Sequence, residues 1–164
     1  MRDIHHFIAG KSQAGTSGRF GEVFDPNLGE VQARVALASP QELDAAVQAA
    51  LSAQPAWAAV NPQRRARVMF AFKRLVEARM DELAALLSAE HGKVIAASKG
   101  DVQRGLEGIE FACGIPRALK GEYNEGAGPG IDVYSMRQPL GVAAGITPFN
   151  FPAMIPMWMF GVAV

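Results

Sequence analysis

The sequence predicts an α/β fold, the opening part of a doubly wound sheet in which a hairpin and several helices precede the first central strand. Three observations carry this expectation. Capped stretches with apolar residues at helical spacing fill the middle of the chain. A short apolar segment, Leu140 to Ile146, then leads through a proline-punctuated turn into a second apolar run, the pattern of a parallel strand buried on both faces and feeding a helix. With 164 residues, 49% of them apolar and 20% charged, the chain has the composition of one ordinary core and not of a disordered tail.

Taken in order, Phe20 to Phe24 and Val31 to Leu37 are extended segments separated by Asp25-Pro26-Asn27-Leu28-Gly29-Glu30, so they form a hairpin. In the second arm Val31, Ala33, Val35 and Leu37 alternate with Gln32 and Arg34, giving one apolar face. Ser39-Pro40-Gln41-Glu42 is a capping box with proline at the first helical position. The helix it starts carries the stripe Leu43, Val47 and Leu51 and is expected to end before Pro55. Asn61-Pro62 repeats the start. Val68, Phe72, Leu75 and Val76 then alternate with arginines and Lys73, a solvated amphipathic helix. Asp81 to Glu90 is a further helix stopped by Gly92, and another spans Val94 to Gly114 with the stripe Val102, Leu106, Ile109 and Cys113. Gly105, Gly108 and Phe111 leave the flanks of that helix without polar cover, so packing on more than one side is expected. Arg104 lies about 200° around from Val102 and Leu106, and an acidic partner is expected if its side is covered. Past the glycine-rich Gly121 to Gly130, the alternating segment Ile131 to Gln138 is expected to be a strand lying away from the main body.

Sixteen basic residues balance sixteen acidic ones, so no charge excess favours nucleic acid or an anionic membrane. The single cysteine, Cys113, has no internal disulfide partner, and no leader-like pattern opens the sequence, which points to a cytoplasmic or, in a eukaryote, an organellar protein. Cys113 sits on an apolar stripe with no activating histidine or carboxylate, so a buried inert thiol is expected. His5, His6 and His91 lack metal-ligand spacing, with the adjacent pair placed near a frayed terminus, and no metal is expected. From Pro139 to Val164 no side chain is charged. About 25 such residues could span a bilayer, but Pro148, Pro152, Pro156 and Asn150 interrupt the run and favour a strand, a turn and a helix. That apolar helix ends without a stop signal, as in a truncated chain whose covering layer is missing.

Gly141-Val142-Ala143-Ala144-Gly145-Ile146-Thr147-Pro148-Phe149-Asn150-Phe151-Pro152 resembles the strand-loop segment of aldehyde dehydrogenases, whose loop ends in Asn-Phe-Pro. Phe149 in place of the commoner tryptophan, the following Met-Ile-Pro-Met-Trp-Met-Phe and Asp101-Val102-Gln103-Arg104-Gly105-Leu106-Glu107 resemble the CoA-acylating methylmalonate-semialdehyde (malonate-semialdehyde) branch. Phe7-Ile8-Ala9-Gly10, Asp25-Pro26 and Glu90-His91-Gly92-Lys93 extend the resemblance along the whole chain.

The resemblance implies the amino-terminal part of an aldehyde-dehydrogenase-type cofactor domain. Residues 1–120 would be its hairpin and helices, 121–138 part of an oligomerisation arm and 139–164 its first strand-loop-helix, with the catalytic domain absent. It implies a thiolate attack on the aldehyde, hydride transfer to NAD and capture of the thioester by coenzyme A, with loss of CO2. Asn150 matches the family's oxyanion donor, although the residues alone also allow an asparagine that ties down the turn after Pro148. Thr147 and Phe149 match cofactor-lining positions. Arg104 matches an arginine that holds the substrate carboxylate, against the plainer alternative of pairing with Glu107 or Glu110. A homo-oligomer, a tetramer by the same resemblance, is expected. No Gly-x-Gly-x-x-Gly is present, and without its catalytic cysteine the chain alone is expected to be inactive and to associate through its apolar end.

Overall fold

The computed structural model describes residues 1–164. Five short strands open the chain: β1 (Arg2–Ile4), β2 (His6–Ile8), β3 (Lys11–Gln13), β4 (Phe20–Phe24) and β5 (Val31–Ala36). β4 and β5 form the expected antiparallel hairpin. Its turn is built by Asp25, whose carboxylate accepts the amides of Asn27 and Leu28 at 2.8 and 3.1 Å, and by Gly29, whose φ of 73° suits a residue without Cβ. β1 adds to β5 in parallel, and Arg34 clamps Asp3 with two bonds of 2.7 and 3.0 Å across that pair. β2 and β3 make a second hairpin around Ala9 and Gly10, both at positive φ, the geometry that matches hairpin twist. The amino terminus is therefore paired, not frayed as expected. Three-residue strands are too short to show a period of two, so the sequence pattern missed them.

α1 (Pro40–Ala58) begins with the capping box: the Glu42 amide donates to the Ser39 hydroxyl and the Ser39 amide to the Glu42 carboxylate, at 3.2 and 2.8 Å. Glu42 also accepts the Thr16 amide at 2.7 Å, tying the helix start to the loop before β4. The backbone N–H groups of Ser39, first, and Thr16 hold its carboxyl down at about 2. Contrary to expectation, α1 runs through Pro55. Proline forfeits its own donor but still accepts, and the Ala59 amide bonds the Pro55 carbonyl at 3.1 Å. α2 (Pro62–Ala78) starts on Asn61, whose side chain accepts the Arg64 amide. α3 (Met80–His91) stops at Gly92 in the left-handed region, φ 82°. α4 (Ile95–Cys113) follows, then a single turn, α5 (Ile115–Ala118).

α4 is the centre of the molecule, packed by α2, α3 and α6 (Met154–Ala163). Val102, Leu106 and Ile109 from α4 meet Val76, Leu87 and Met157 in one core, and Cys113 on the same stripe is buried. The expected packing on more than one side holds through the glycines. A Cβ at Gly105 would strike the Met157 side chain and crowd the Met154 backbone, one at Gly108 would strike the Trp158 indole, and one at Gly161 would meet Ile109. Small residues on both helices thus set how closely α4 and α6 approach.

Two expectations about the remaining chain are corrected. Strand character begins inside the glycine-rich stretch: β6 (Tyr123–Gly128) pairs with β7 (Ile131–Tyr134), and the Asp132 carboxylate takes the Tyr123 hydroxyl and the Gly126 amide at 2.7 and 2.9 Å. Every residue of β7 is exposed, in keeping with a segment apart from the core. Leu140 to Ile146 is not a buried strand. Residues 135–148 have no regular structure and Leu140 and Ile146 are fully exposed, because no other strand lies alongside to complete a ladder. Nor is the final apolar run bare on all sides. Met154, Met157 and Gly161 are buried on α4, while Trp158, Phe160 and Val162 remain about half exposed. No helix is long and apolar enough to cross a membrane.

Two outcomes follow for stability. Gly105→Val should destabilise the protein by about 1–3 kcal/mol through overpacking, although valine is the better helix former; an unchanged or raised melting temperature would show slack between α4 and α6. Glu42 contributes stability that is complete above its ordinary value of 4.5 and is lost as the pH falls towards about 2. Glu42→Gln should therefore flatten the loss of melting temperature over that acid window, and a slope identical to the parent's would remove Glu42 from the account.

Candidate functional site

Pro148 and Pro152 keep the chain out of a helix until Met154, and Asn150 stands between them. α6 has no side-chain cap of its own. Its first amide, from Met154, donates instead to the Oδ1 of Asp101 on α4 at 2.8 Å, which places a negative charge at the positive end of the helix. Asp101 is buried, 2% exposed, and its Oδ2 takes a 2.8 Å ionic hydrogen bond from Lys93. The Lys93 ammonium donates a second bond, 2.7 Å, to the backbone carbonyl of Asn150 and lies 4.1 Å above the Phe151 ring. Lys93 reaches this position because Gly92, left-handed at the end of α3, reverses the chain just before it.

Asn150 is thus held by its backbone. Its side-chain amide makes no hydrogen bond to the turn, unlike an asparagine that serves to tie one down, and the residue is exposed. Its donors are free for a ligand. Before it, Thr147 is half-buried and Phe149 is 86% exposed. No backbone hydrogen bond fixes residues 141–149, so their N–H and C=O groups are left without a backbone partner.

Arg104 is exposed on α4, and neither Glu107 nor Glu110 pairs with it; Glu110 lies 3.9 Å from Lys73 instead. Trp158 covers Gly108 on the flank that carries Arg104, but Arg104 itself and the 67%-exposed Phe111 stay open, so the expected condition for an internal acidic partner does not arise. The backbone of Arg104 is nonetheless fixed, because the Trp158 indole N–H donates to its carbonyl at 2.9 Å. Two bonds therefore join α4, which bears Arg104, to α6, Asp101 to Met154 and Trp158 to Arg104, and Lys93, just before α4, holds Asn150 in the segment that leads into α6. A planar guanidinium without a protein partner suits a carboxylate ligand, and a free amide suits a developing oxyanion.

Cys113 belongs to no such group. It is buried, and burial pushes its thiol up, with Lys73 opposing weakly. A surface groove of about 330 Å3 is lined by Arg2, Leu86, Leu87, Glu90, Pro152 and Ala153 and includes none of the candidate residues. Sequence reasoning gave Lys93 and Asp101 no role. The legible signal was Asp101 itself, an acid sharing a helical face with Gly105, Gly108 and Ala112, where a charge needs a partner.

The sequence profile of the aldehyde dehydrogenase family matches residues 13–164. Malonate-semialdehyde dehydrogenase of Pseudomonas aeruginosa is 46% identical over all 164 residues, which cover 33% of that protein. The acylating, mitochondrial methylmalonate-semialdehyde dehydrogenase of Arabidopsis thaliana is 45% identical over 98% of the chain and 26% of its own length. Among solved structures, a Sinorhizobium meliloti 1021 protein assigned as a methylmalonate-semialdehyde dehydrogenase, complexed with NAD, superposes with a TM-score of 0.95 at 61% identity, covering 98% of this chain and 33% of that one. The methylmalonate-semialdehyde dehydrogenase DddC from Oceanimonas doudoroffii gives 0.94 at 47% identity over 99% of this chain and 33% of its own. The chain spans about a third of the length of the curated relatives it matches. With the family profile matched over residues 13–164 and the superposition at a TM-score of 0.95, this chain belongs to the aldehyde dehydrogenase family.

Proposed function

We propose that the complete protein oxidises malonate semialdehyde or its methyl homologue in a CoA-acylating, decarboxylating reaction, and that these residues supply its oxyanion donor and its carboxylate clamp. The observation that carries the proposal is Arg104: a guanidinium with no acidic partner, on a helical turn pinned by Trp158, in a chain whose similar proteins bear the semialdehyde name. An ordinary aldehyde gives such an arginine nothing to bind, whereas a semialdehyde brings a second, anionic end.

The residues at 147–149 suit NAD: an exposed aromatic ring, a half-buried hydroxyl and backbone groups without a backbone partner. NAD would accept the aldehyde hydrogen as hydride. The whole conversion takes malonate semialdehyde, NAD+ and coenzyme A to acetyl-CoA, CO2 and NADH, the methyl homologue giving propionyl-CoA. Attack by a thiolate turns the aldehyde oxygen into an alkoxide, and the Asn150 amide is the donor this chain offers there, one that does not itself titrate. Arg104 would orient the carboxylate so that the carbon chain keeps one pose until CO2 leaves. The nucleophile is assigned to a cysteine other than Cys113, whose thiol is buried and raised. For assembly, the exposed Ile131, Val133, Tyr134 and Met136 of the β6–β7 arm support pairing with further copies in a homo-oligomer.

The 164 residues alone should give no NADH with malonate semialdehyde and coenzyme A, and turnover above a heat-killed control would restore Cys113 as a candidate. In the complete protein Asn150→Ala should lower kcat about a hundredfold or more, the usual effect of losing one oxyanion donor; an unchanged kcat leaves Asn150 no part in the chemistry. Arg104→Leu should lower kcat/KM for malonate semialdehyde by about thirtyfold to a thousandfold, on the order of a lost charged hydrogen-bond pair, while sparing propanal. Equal losses on both aldehydes, or none, would make Arg104 structural.

A further inference from the structure

We infer that Lys93, held by the buried Asp101, is a positioning residue for the reaction: its ammonium fixes the peptide of Asn150 so that the free side-chain amide is aimed before substrate arrives. The role rests on the reading of Asn150 as oxyanion donor and adds to it a device for holding that donor in place.

The geometry sets Lys93 apart from an ordinary surface lysine. Its side chain is only 17% exposed, and Asp101, at the other end of the ion pair, has no exposed side-chain surface. A buried carboxylate needs its countercharge, so the ammonium is not free to leave for solvent. One of its hydrogens goes to Asp101, one to the Asn150 carbonyl, and the charge sits over the Phe151 ring, so the residue grips both sides of the peptide bond between 150 and 151. The segment needs such a grip. From 141 to 149 no backbone hydrogen bond restrains it; beyond Asn150 the Phe151 carbonyl accepts the Ile155 amide at 3.2 Å, and the Met154 amide is held by the same Asp101. A donor serves an oxyanion only when placed within about half an ångström, and a backbone carbonyl fixed two bonds from the Asn150 Cα supplies that placement while leaving the amide unoccupied.

Two consequences separate positioning from a merely structural salt bridge. Loss of the ammonium should act on kcat through Asn150, so it should have little left to remove once Asn150 is gone. The loop should also loosen in the absence of any ligand. The test uses the complete protein with propanal as substrate, which leaves Arg104 out of the comparison. Lys93→Met should speed amide hydrogen exchange across residues 149–155 in the ligand-free protein and lower kcat about tenfold or more, with KM changed less than threefold. In an Asn150→Ala background the same substitution should lower kcat by less than twofold. Lys93→Arg should restore most of the loss. Asp101→Asn, whose amide oxygen can still cap Met154, should give an intermediate effect and keeps the comparison available if Lys93→Met folds poorly. An equal fall in kcat in both backgrounds, or unchanged exchange across 149–155, would overturn the role. If the single Asn150→Ala change leaves kcat untouched, the oxyanion reading itself fails; faster exchange in Lys93→Met without a change in kcat would then reduce Lys93 to a structural clamp and overturn the positioning role separately.

Discussion

Asp101 places a carboxylate in the contact between two helices, where an ionised group is costly unless each oxygen is matched. One oxygen meets the Met154 amide and the other the Lys93 ammonium, so a single side chain starts α6 and anchors the segment before it. Removing one partner of such a buried pair typically costs about 3–5 kcal/mol, which makes this contact an all-or-none fastening. The placement of Asn150 depends on it, and so does the lie of α6, whose Trp158 in turn fixes the turn of Arg104.

The glycines of α4 belong to the same device. Gly105 and Gly108 weaken the helix in isolation by roughly 1 kcal/mol each, yet a side chain at either would push α6 away and stretch the Asp101 and Trp158 bonds. Close approach is therefore required by the polar contacts, and the intrinsic propensity of the helix gives way to them. The core of Val102, Leu106, Ile109 and Met157 then fills the space that this spacing defines.

The helices were legible in the sequence because their signals are local: Ser39 with Glu42, Asn61 with Pro62, and Gly92 each fix an end by a contact within four residues. The stripe of α4 was legible for the same reason. What escaped depended on partners far along the chain. β1 exists because β5, some thirty residues on, lies beside it, and Leu140 to Ile146 lacks strand structure because nothing does. Pro55 signals a stop in the local pattern, but only its own donor is lost, and the next turn closes on its carbonyl. Asn150 and Arg104 stood out through the resemblance of their flanking residues. Lys93 and Asp101 lie within segments that carry the family resemblance, but their joint action needs the fold, since neither spacing nor composition shows that an acid on α4 faces the start of α6.

In the proposed function Arg104 and Asn150 address the two ends of one small dicarbonyl ligand. A crystal structure of the complete protein with NAD and malonate tests it directly, with one malonate carboxylate standing in for that of the semialdehyde and the other for the reacting carbonyl. The expected result is the Arg104 guanidinium within hydrogen-bond distance of one carboxylate and the Asn150 amide nitrogen within hydrogen-bond distance of an oxygen of the other. Malonate held by other residues, with Arg104 in solvent and the Asn150 amide turned away, would contradict it.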